Sequence, residues 1–369
     1  MYCQAISLSN DPVKSPEAVS AASLLRGYSF SAQEAHEARD LGGLLCLRLD
    51  TNYTCNLSCR YCYAGPKMKE NRSVLPISKA KYVVDEAHDF GAKSVVYLGG
   101  GEPFLYPNLW TLISYISSLG MVPVVFTNGT LLSKESASRL YDFGSSVIVK
   151  FDGFESTQDS LSGAGTGIRI RRGFDLLLES GFADLQDGYT RLGASILVCS
   201  ENHLEVPELW RFLRLRNVFP DIERITIVGN ASSEMNLTPS QIQAMIAEIR
   251  SIDINEFHIQ WASPFSSIPG HSCFICISGC HVTADYRLSI CPEMSPVLNL
   301  NSFKLADALK QTPFSDMRNI ENTIQAPCRT CSHIQYCLGG CRSKAFCHFG
   351  SIFAPDPYCQ YVSPNRTNS

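Results

Sequence analysis

Apolar positions between Leu44 and Gly229 follow two spacings in turn, which predicts strands that alternate with helices. Short apolar runs typical of buried strands fall at 44–50, 94–98, 122–126, 146–151, 192–199 and 224–229. Apolar residues at helical spacing lie between them, at 77–91, 109–120, 134–144, 171–182 and 203–215. Alternating strands and helices predict a parallel sheet with the helices outside. Six units are fewer than the eight of a closed barrel, so we predict an α/β fold built on an open, partial (β/α)6 barrel.

The pattern changes after Asn230. A helix over 238–250 is predicted as a connector, and a short helix is expected around 31–39. Ten of the 16 cysteines lie beyond residue 263, in a loop-rich region whose core is too small to hold it together without metal ligation. We therefore predict an N-terminal extension (1–43), the partial barrel (44–232), a connector (233–262) and a cysteine-rich C-terminal domain (263–369).

Composition and charge exclude several classes of protein. Hydrophobic residues make up 45% of the 369 residues and charged residues 18%, enough for a sizeable core. The net charge of −4 argues against sequence-independent nucleic-acid binding and gives no reason to expect an anionic membrane as a partner. The start of the chain lacks a signal-peptide pattern, and no apolar run is long enough to span a bilayer. We therefore expect a cytoplasmic protein whose cysteines bind metal instead of forming disulfides.

A first cysteine cluster, Cys55-x3-Cys59-x2-Cys62, directly follows the first predicted strand. Thiolates are the usual ligands of iron–sulfur clusters, and four of them fill a [4Fe–4S] cube. Three local thiolates would leave one iron open to a cofactor or substrate. The alternative is a structural zinc site, which normally takes four closed ligands.

This triad, with an aromatic residue at Tyr61, resembles the radical SAM superfamily. Gly99-Gly100-Gly101-Glu102-Pro103, after the second strand, resembles the GGEP motif of that family, and Thr127-Asn128-Gly129 resembles its TNG segment. The resemblance implies a [4Fe–4S] cluster on the triad and S-adenosylmethionine (SAM) beside it, with Glu102 at the amino group of SAM. Glycines permit close backbone approach, and a carboxylate pairs well with an ammonium group. The residues that the resemblance implies at the SAM site are Tyr61, Gly100, Gly101, Glu102, Pro103, Asn128, Lys150 and Asp152.

Lys150 departs from the family pattern. Many relatives carry a serine there that contacts the ribose of SAM. Three roles stay open for this lysine: a hydrogen bond to SAM, a contact with the substrate, or a bond to backbone carbonyls at the mouth of the barrel.

A second set of cysteines, Cys328-x2-Cys331-x5-Cys337-x3-Cys341 followed by Cys359, resembles the SPASM extension of radical SAM maturases. Tyr286 stands where that pattern has glycine, four residues before Cys291. The resemblance implies two auxiliary [4Fe–4S] clusters, three in all. Cys291 and Cys341 would hold the first with two of Cys273, Cys276 and Cys280, and Cys328, Cys331, Cys337 and Cys359 would hold the second. Zinc is the alternative for CxxC-based loops of this kind.

The chemistry implied by the resemblance starts when the reduced cluster cleaves SAM to a 5′-deoxyadenosyl radical that abstracts a hydrogen atom. Auxiliary clusters favour a net oxidation of a ribosomally made peptide or protein, by thioether formation, C–C crosslinking or dehydrogenation. A small molecule such as a sugar or aminocyclitol is the alternative substrate, for dehydrogenation or epimerisation. A non-catalytic iron–sulfur or zinc protein is the second alternative, although an electron carrier needs no open iron.

Two further residues are candidates for catalysis. Glu293, two residues after Cys291, is a candidate general base, with a solvated surface carboxylate as the alternative. Cys347 is the candidate hydrogen donor if the reaction is an epimerisation. A reducing partner such as flavodoxin or ferredoxin is expected. The 43 residues before the first strand are too few for a winged-helix leader-binding domain, so either a separate protein binds the leader or none is used.

Overall fold

The computed structural model describes residues 24–66, 73–98, 100–259, 261 and 274–359. Six parallel strands lie side by side in chain order, which confirms the predicted partial barrel. They are β1 (Cys46–Leu49), β2 (Ser94–Tyr97), β3 (Val122–Thr127), β4 (Ser146–Lys150), β5 (Leu192–Val198) and β6 (Phe219–Arg224).

Most helices of the barrel pack on the outer face of this sheet, whereas the helix 155–162 packs against the cluster loop. The helices of the barrel are α1 (Ala32–Asp40), α2 (Ile77–Asp89), α3 (Leu109–Ser118), α4 (Lys134–Asp142), α5 (Glu155–Ser162), α6 (Thr166–Glu179), α7 (Val206–Arg214) and α8 (Pro239–Glu256). Successive strand residues point to opposite faces. Val95 and Val147 therefore pack in the core that includes the helices, whereas Val96 and Ile148 pack in a second core inside the barrel.

The sixth strand lies five residues earlier than predicted, at 219–224 instead of 224–229. The sequence FPDIER carries Pro220, Asp221 and Glu223, residue types that are rare in strands. An edge strand tolerates a proline, because the missing N–H need not pair on the open side. Phe219 packs inside the barrel and Ile222 outside it, so the alternation that defines a strand is present but is disguised by acidic residues.

The C-terminal region adds three strands that were not predicted. In the same sheet, β7 (Gly279–Val282) pairs in parallel with β1, and β8 (Arg287–Ser289) and β9 (Leu298–Asn299) follow as antiparallel strands. The predicted cysteine-rich domain therefore continues the barrel sheet beyond its first strand. Its short helices are α9 (Ile275–Ser278), α10 (Leu305–Ala308), α11 (Phe314–Arg318), α12 (Ile320–Thr323), α13 (Ile334–Cys337) and α14 (Arg342–Phe349).

A segment of the predicted N-terminal extension closes the barrel at the amino ends of its strands. Leu24–Leu25 pairs with Tyr189–Thr190, and the Ser146 hydroxyl donates to the Arg26 carbonyl at 2.7 Å. Gly27 has a φ of +75°, and a Cβ there would lie 2.7 Å from Val122. Only glycine fits this close approach.

No helix within the described ranges has both the length and the apolar character needed to cross a membrane.

Candidate active site

A cavity of about 260 Å³ opens at the carboxyl ends of the strands. The cluster loop after β1, the glycine-rich loop after β2 and the polar turn after β3 all reach it, as does the C-terminal region. This is the edge at which parallel α/β sheets place their active sites. The lining includes Cys55, Cys59, Tyr61, Cys62, Gly100, Gly101, Glu102, Thr127, Asn128, Lys150, Glu223, Cys291, Glu293, Cys341 and Lys344.

The three thiols of the first cluster converge on this cavity and are free. The Cys55 sulfur accepts a hydrogen bond from the Leu57 amide at 3.4 Å. Burial, and then the charges of Cys59 and Cys55, raise the pKa of Cys62 to about 12, so the three thiols lie close enough to influence one another. A bound metal centre would relieve this mutual repulsion, because thiolates are its ligands. The arrangement fits a cluster that leaves its fourth position facing the cavity.

The glycine-rich loop packs directly on the chain segment that leads into Cys55. The Gly101 amide donates to the Asn52 carbonyl at 2.8 Å, and the Glu102 amide to the Thr54 carbonyl at 2.8 Å. A Cβ on Gly101 would lie 2.1 Å from the Thr54 oxygen, a distance that no side chain tolerates. The glycine therefore sets the distance between this loop and the cluster loop.

Glu102 is held by three donors and is 2% exposed. Its Oε1 accepts from the Thr127 hydroxyl at 2.7 Å and from the Phe104 amide at 3.2 Å, and its Oε2 accepts from the Asn128 amide at 2.9 Å. Burial raises the pKa of this carboxyl, and these hydrogen bonds lower it. A carboxylate oxygen has room for more than one donor, so Oε2 can also receive a ligand ammonium. Pro103 is buried in the short turn Pro103–Leu105 and is not part of the cavity lining.

Asn128 joins the third strand to the cluster loop. Its side-chain amide donates to Asn56 Oδ1 at 2.9 Å and lies 3.9 Å from the Cys55 sulfur. The turn after β3 therefore helps to hold Cys55 in place.

Asp152 connects Lys150 to the cluster loop. The Asp152 carboxylate is fully buried, accepts from the Tyr61 hydroxyl, and accepts from the Leu197 amide at 2.7 Å. The Lys150 ammonium lies 2.9 Å from Asp152 Oδ1 and 5.2 Å from the centre of the Tyr61 ring. The suggestion that Lys150 binds backbone carbonyls is therefore wrong, because its partner is a carboxylate. Burial lowers the pKa of Lys150, but Asp152 and Glu223 raise it overall, so the lysine is cationic.

Where the C-terminal region lines the cavity, several polar side chains contact one another in series. The Thr226 hydroxyl donates to Glu293 Oε2 at 2.9 Å and lies 3.1 Å from the Lys344 ammonium, which lies 3.8 Å from the Cys341 sulfur. Burial lowers the pKa of Lys344, but Cys341 and Glu293 raise it to well above its usual value. Lys344 and Thr226 were missed from the sequence, although Lys344 follows Cys341 by three residues, one turn of α14. Cys347 on the same helix is exposed and is not part of the cavity lining.

The remaining cysteines form a second group away from the cavity. Burial, and then the charges of Cys359, Cys337 and Cys331, raise the pKa of Cys328 to about 12, so these four thiols lie near one another. Asp356 links them to the cavity wall, since it accepts from the Cys341 amide at 2.9 Å and its carbonyl accepts from the Cys359 amide.

The three candidates for the remaining ligand positions differ in their surroundings. Cys280 is fully buried on β7, where burial and the neighbouring Cys46 raise its pKa to about 12. It packs in the core and not in the cavity. Cys276 is half-buried on α9, and Cys273 lies outside the described residues. Among the described residues, no group of three metal-ligating side chains is spaced for a single metal ion. A four-iron cluster bonds each thiolate to a different iron, so its ligands need not meet at one point.

The floor of the cavity is charged, which the sequence pattern did not predict. The Tyr28 hydroxyl, from the N-terminal segment, donates to Asp221 Oδ2 at 3.3 Å. Burial and then the charge of Glu223 raise the pKa of Asp221 to about 7. Arg48 lies above Tyr28, with its guanidinium 6.0 Å from the centre of the ring.

Some known proteins match less than half of this chain, and others match most of it. The family described as Radical SAM superfamily matches residues 50–213. Fe-coproporphyrin III synthase of Methanosarcina barkeri is 31% identical over 160 residues, which are 43% of this chain and only 38% of that relative. Mycofactocin maturase MftC of Mycobacterium ulcerans is 25% identical over 85% of this chain and 87% of its own length. PqqA peptide cyclase of Rhodopseudomonas palustris is 24% identical over 87% and 88%, respectively.

Solved structures support the same fold. Native anSMEcpe with bound AdoMet and Cp18Cys peptide superposes with a TM-score of 0.68 at 15% identity, covering 85% of this chain and 93% of that one. The match of the barrel to the family, the thiols that converge on the cavity and the glycine-rich loop beside them all lead to one conclusion. Residues 50–213 of this chain form a radical SAM domain, and that family implies a [4Fe–4S] cluster and S-adenosylmethionine.

Proposed function

We propose that this protein oxidises a ribosomally made peptide by radical SAM chemistry, at the cavity between the barrel and the C-terminal region. One observation carries the proposal. The same 260 Å³ cavity is lined by the first-cluster thiols, by the glycine-rich loop and by Cys291 and Cys341 of the C-terminal region. A substrate bound there would contact the site of hydrogen abstraction and lie close to a candidate electron acceptor.

In this proposal Cys55, Cys59 and Cys62 hold the first cluster. Bound beside it, SAM supplies the radical that removes a hydrogen atom from an unactivated C–H bond. Glu102 binds the amino group of SAM through a charge-assisted hydrogen bond. Gly101 keeps the loop close to the cluster, and Asn128 supports Cys55 from the side.

The cysteines of the C-terminal region would hold the two auxiliary clusters. Cys291 and Cys341 hold one of them together with Cys273 and Cys276, because Cys280 packs in the core behind β7. The mutual influence of the four thiols around Cys328 supports the second. With three clusters the protein would hold about twelve irons.

Glu293 is the candidate base. Oxidation of a C–H bond releases a proton as well as electrons, and Glu293 faces the cavity beside Cys291. Its hydrogen bond to Thr226 holds the carboxylate in place. Lys150, anchored on Asp152, forms the wall opposite and is a candidate for contact with SAM or with the substrate.

The proposal of a peptide substrate rests on relatives that match over most of their length. Mycofactocin maturase and PqqA peptide cyclase both align across more than four-fifths of their own chains, including the C-terminal region. By contrast, Fe-coproporphyrin III synthase matches over well under half of its length. A one-electron donor such as flavodoxin or ferredoxin, and a separate leader-binding protein, complete the proposed system.

Co-expression tests this function. The protein is produced with short peptides encoded beside its gene, and each peptide is examined by mass spectrometry. We expect one peptide to lose two hydrogens in the presence of the wild-type protein and none in the presence of the Cys55→Ala, Cys59→Ala, Cys62→Ala variant. Deuterium from the labelled peptide should appear in 5′-deoxyadenosine. An unmodified peptide set, with modification of a small molecule instead, would contradict the proposal.

A further inference from the structure

Lys344 is a buried cation that has no ion pair with a carboxylate among the residues that the structure describes. Its side chain is on α14 and the residue is 7% exposed. Two contacts of its ammonium group are a hydroxyl (Thr226) and a thiol (Cys341). A buried charge is costly unless it is compensated. Glu293 lies on the far side of the Thr226 hydroxyl and is not in direct contact with the ammonium, so an anion at the Cys341 sulfur would compensate it more directly.

Other cations that are buried or half-buried are compensated in one of two ways. Arg191 and Arg342 donate to several backbone carbonyls, and three others pair with carboxylates. Arg214 pairs with Asp253 at 3.0 Å, Arg224 pairs with Asp356 at 3.3 Å, and Lys150 pairs with Asp152 at 2.9 Å. Lys344 differs from them because it points to a thiol that lines the cavity. An ammonium group has three donors, and the third has no partner among the described residues.

We propose that the anion is the auxiliary iron–sulfur cluster held by Cys291 and Cys341, and that Lys344 is a positioning residue that sets the reduction potential of this cluster. The inference rests on the proposed function. A cluster held by four thiolates is anionic and gains a further negative charge on reduction. A cation in contact with one ligand sulfur therefore stabilises the reduced form more than the oxidised form, and hydrogen bonds and charges near the sulfurs are known levers on such potentials.

Glu293 acts on the same cluster with the opposite sign. Its carboxylate accepts from Thr226 at 2.9 Å and lines the same cavity as Cys341, which places a negative charge on this side of the cluster. Thr226 bridges the two residues, so the lysine and the glutamate form one polar unit beside the cluster. Their charges oppose each other at the site, and removing either one should move the potential in its own direction.

Redox titration followed by EPR spectroscopy tests the inference on the fully loaded protein. The signal of this cluster is the one that Cys341→Ser removes or alters. We expect Lys344→Met to make its midpoint potential more negative, Glu293→Gln to make it less negative, and Lys344→Arg to leave it near the wild-type value. Lys310→Met, an exposed lysine of the same region, is the control and should have no effect, since solvent screens its charge.

The outcomes separate the two proposals. If the wild-type protein shows no EPR signal from an auxiliary cluster and holds about four irons per chain, the proposed function is contradicted before any lysine variant is measured. Three clusters with an unchanged potential in Lys344→Met would overturn the role of the lysine alone. If Lys344→Met fails to retain the cluster, Glu293→Gln decides: an unchanged potential there overturns the inference.

Discussion

The Tyr61 hydroxyl donates a hydrogen bond to the Asp152 carboxylate, which joins the cluster loop to the end of the fourth strand. The same carboxylate holds the Lys150 ammonium. One buried acid, Asp152, therefore fixes two residues. They are Tyr61, which lies between Cys59 and Cys62 in the sequence, and Lys150, which lines the cavity. A substitution at Asp152 should therefore disturb both the cluster loop and the cavity wall.

Asp152→Asn should destabilise the protein and weaken SAM binding. The change removes the carboxylate that pairs with the half-buried Lys150 and weakens the bond to Tyr61, at an expected cost of about 2–4 kcal/mol. Urea denaturation and SAM binding by equilibrium dialysis measure the two effects. Asp184→Asn, at an exposed acid, should change neither. A variant with wild-type stability would show that the Asp152 pair is not structural.

Glu102→Gln should weaken SAM binding without loss of iron. The amide keeps the shape of the side chain but lacks the charge that pairs with the SAM amino group, so we expect about a tenfold or larger drop in affinity. Iron content, measured on the same samples, is the internal control. Iron loss in this variant would show that Glu102 supports the cluster and does not bind the cofactor.

Gly101→Ala should disrupt the glycine-rich loop. The added Cβ would lie 2.1 Å from the Thr54 oxygen, so the loop must move away from the cluster. We expect loss of SAM binding and a stability cost of about 1–3 kcal/mol. Gly350→Ala is the matched control, because its Cβ meets nothing within 4 Å although its φ is +70°. Gly101 has no positive φ, so backbone strain does not explain it, and an effect no larger than that of Gly350→Ala would contradict the close approach.

Asp221 should make stability depend on pH. Its pKa of about 7 in the folded protein, caused by burial and by Glu223, exceeds the value of about 4 in an unfolded chain. The native state therefore holds more protons than the unfolded state between these values, and stability falls as pH rises from 4 to 7.

Asp221→Asn should remove this dependence. The variant should be more stable than the wild type at pH 8, whereas the difference should shrink at pH 5. Urea midpoints at the two pH values provide the measurement. Tyr28, Arg48 and Lys150 also influence this carboxylate and are left unchanged. A difference of the same size at both pH values would argue against a titration of Asp221.

Cys276→Ala and Cys280→Ala should differ in iron content. Cys276 is assigned to the auxiliary cluster, so its loss should remove about four irons, whereas Cys280→Ala should retain the full content. Both changes remove one thiol from the same short segment, which makes each the control for the other. The reverse result would assign Cys280 as the ligand and require β7 to open.

The local parts of the site could be predicted from the sequence. Cys55, Glu102 and Asn128 each follow directly on a strand, and parallel strands bring their carboxyl ends to one edge. Three of the four thiols in the group around Cys328 also lie close together in sequence, and Cys359 is the exception. Such residues need only correct strands and short loops to meet.

Contacts between distant segments could not be predicted. Lys344 and Thr226 are 118 residues apart, and Tyr28 and Asp221 are 193 apart. The sixth strand was misplaced because two of its inward positions are acidic, and a strand that carries charges into a cavity lacks the usual apolar alternation. The functional residues themselves therefore obscured the pattern.

The number of irons per chain tests the central claim most directly. After anaerobic reconstitution, the three thiol sets predict about twelve irons and a matching amount of sulfide. The Cys55→Ala, Cys59→Ala, Cys62→Ala variant should hold about four fewer, because only the first set is removed. A colourless protein that carries zinc, or one that holds about four irons with the C-terminal cysteines intact, would contradict the account.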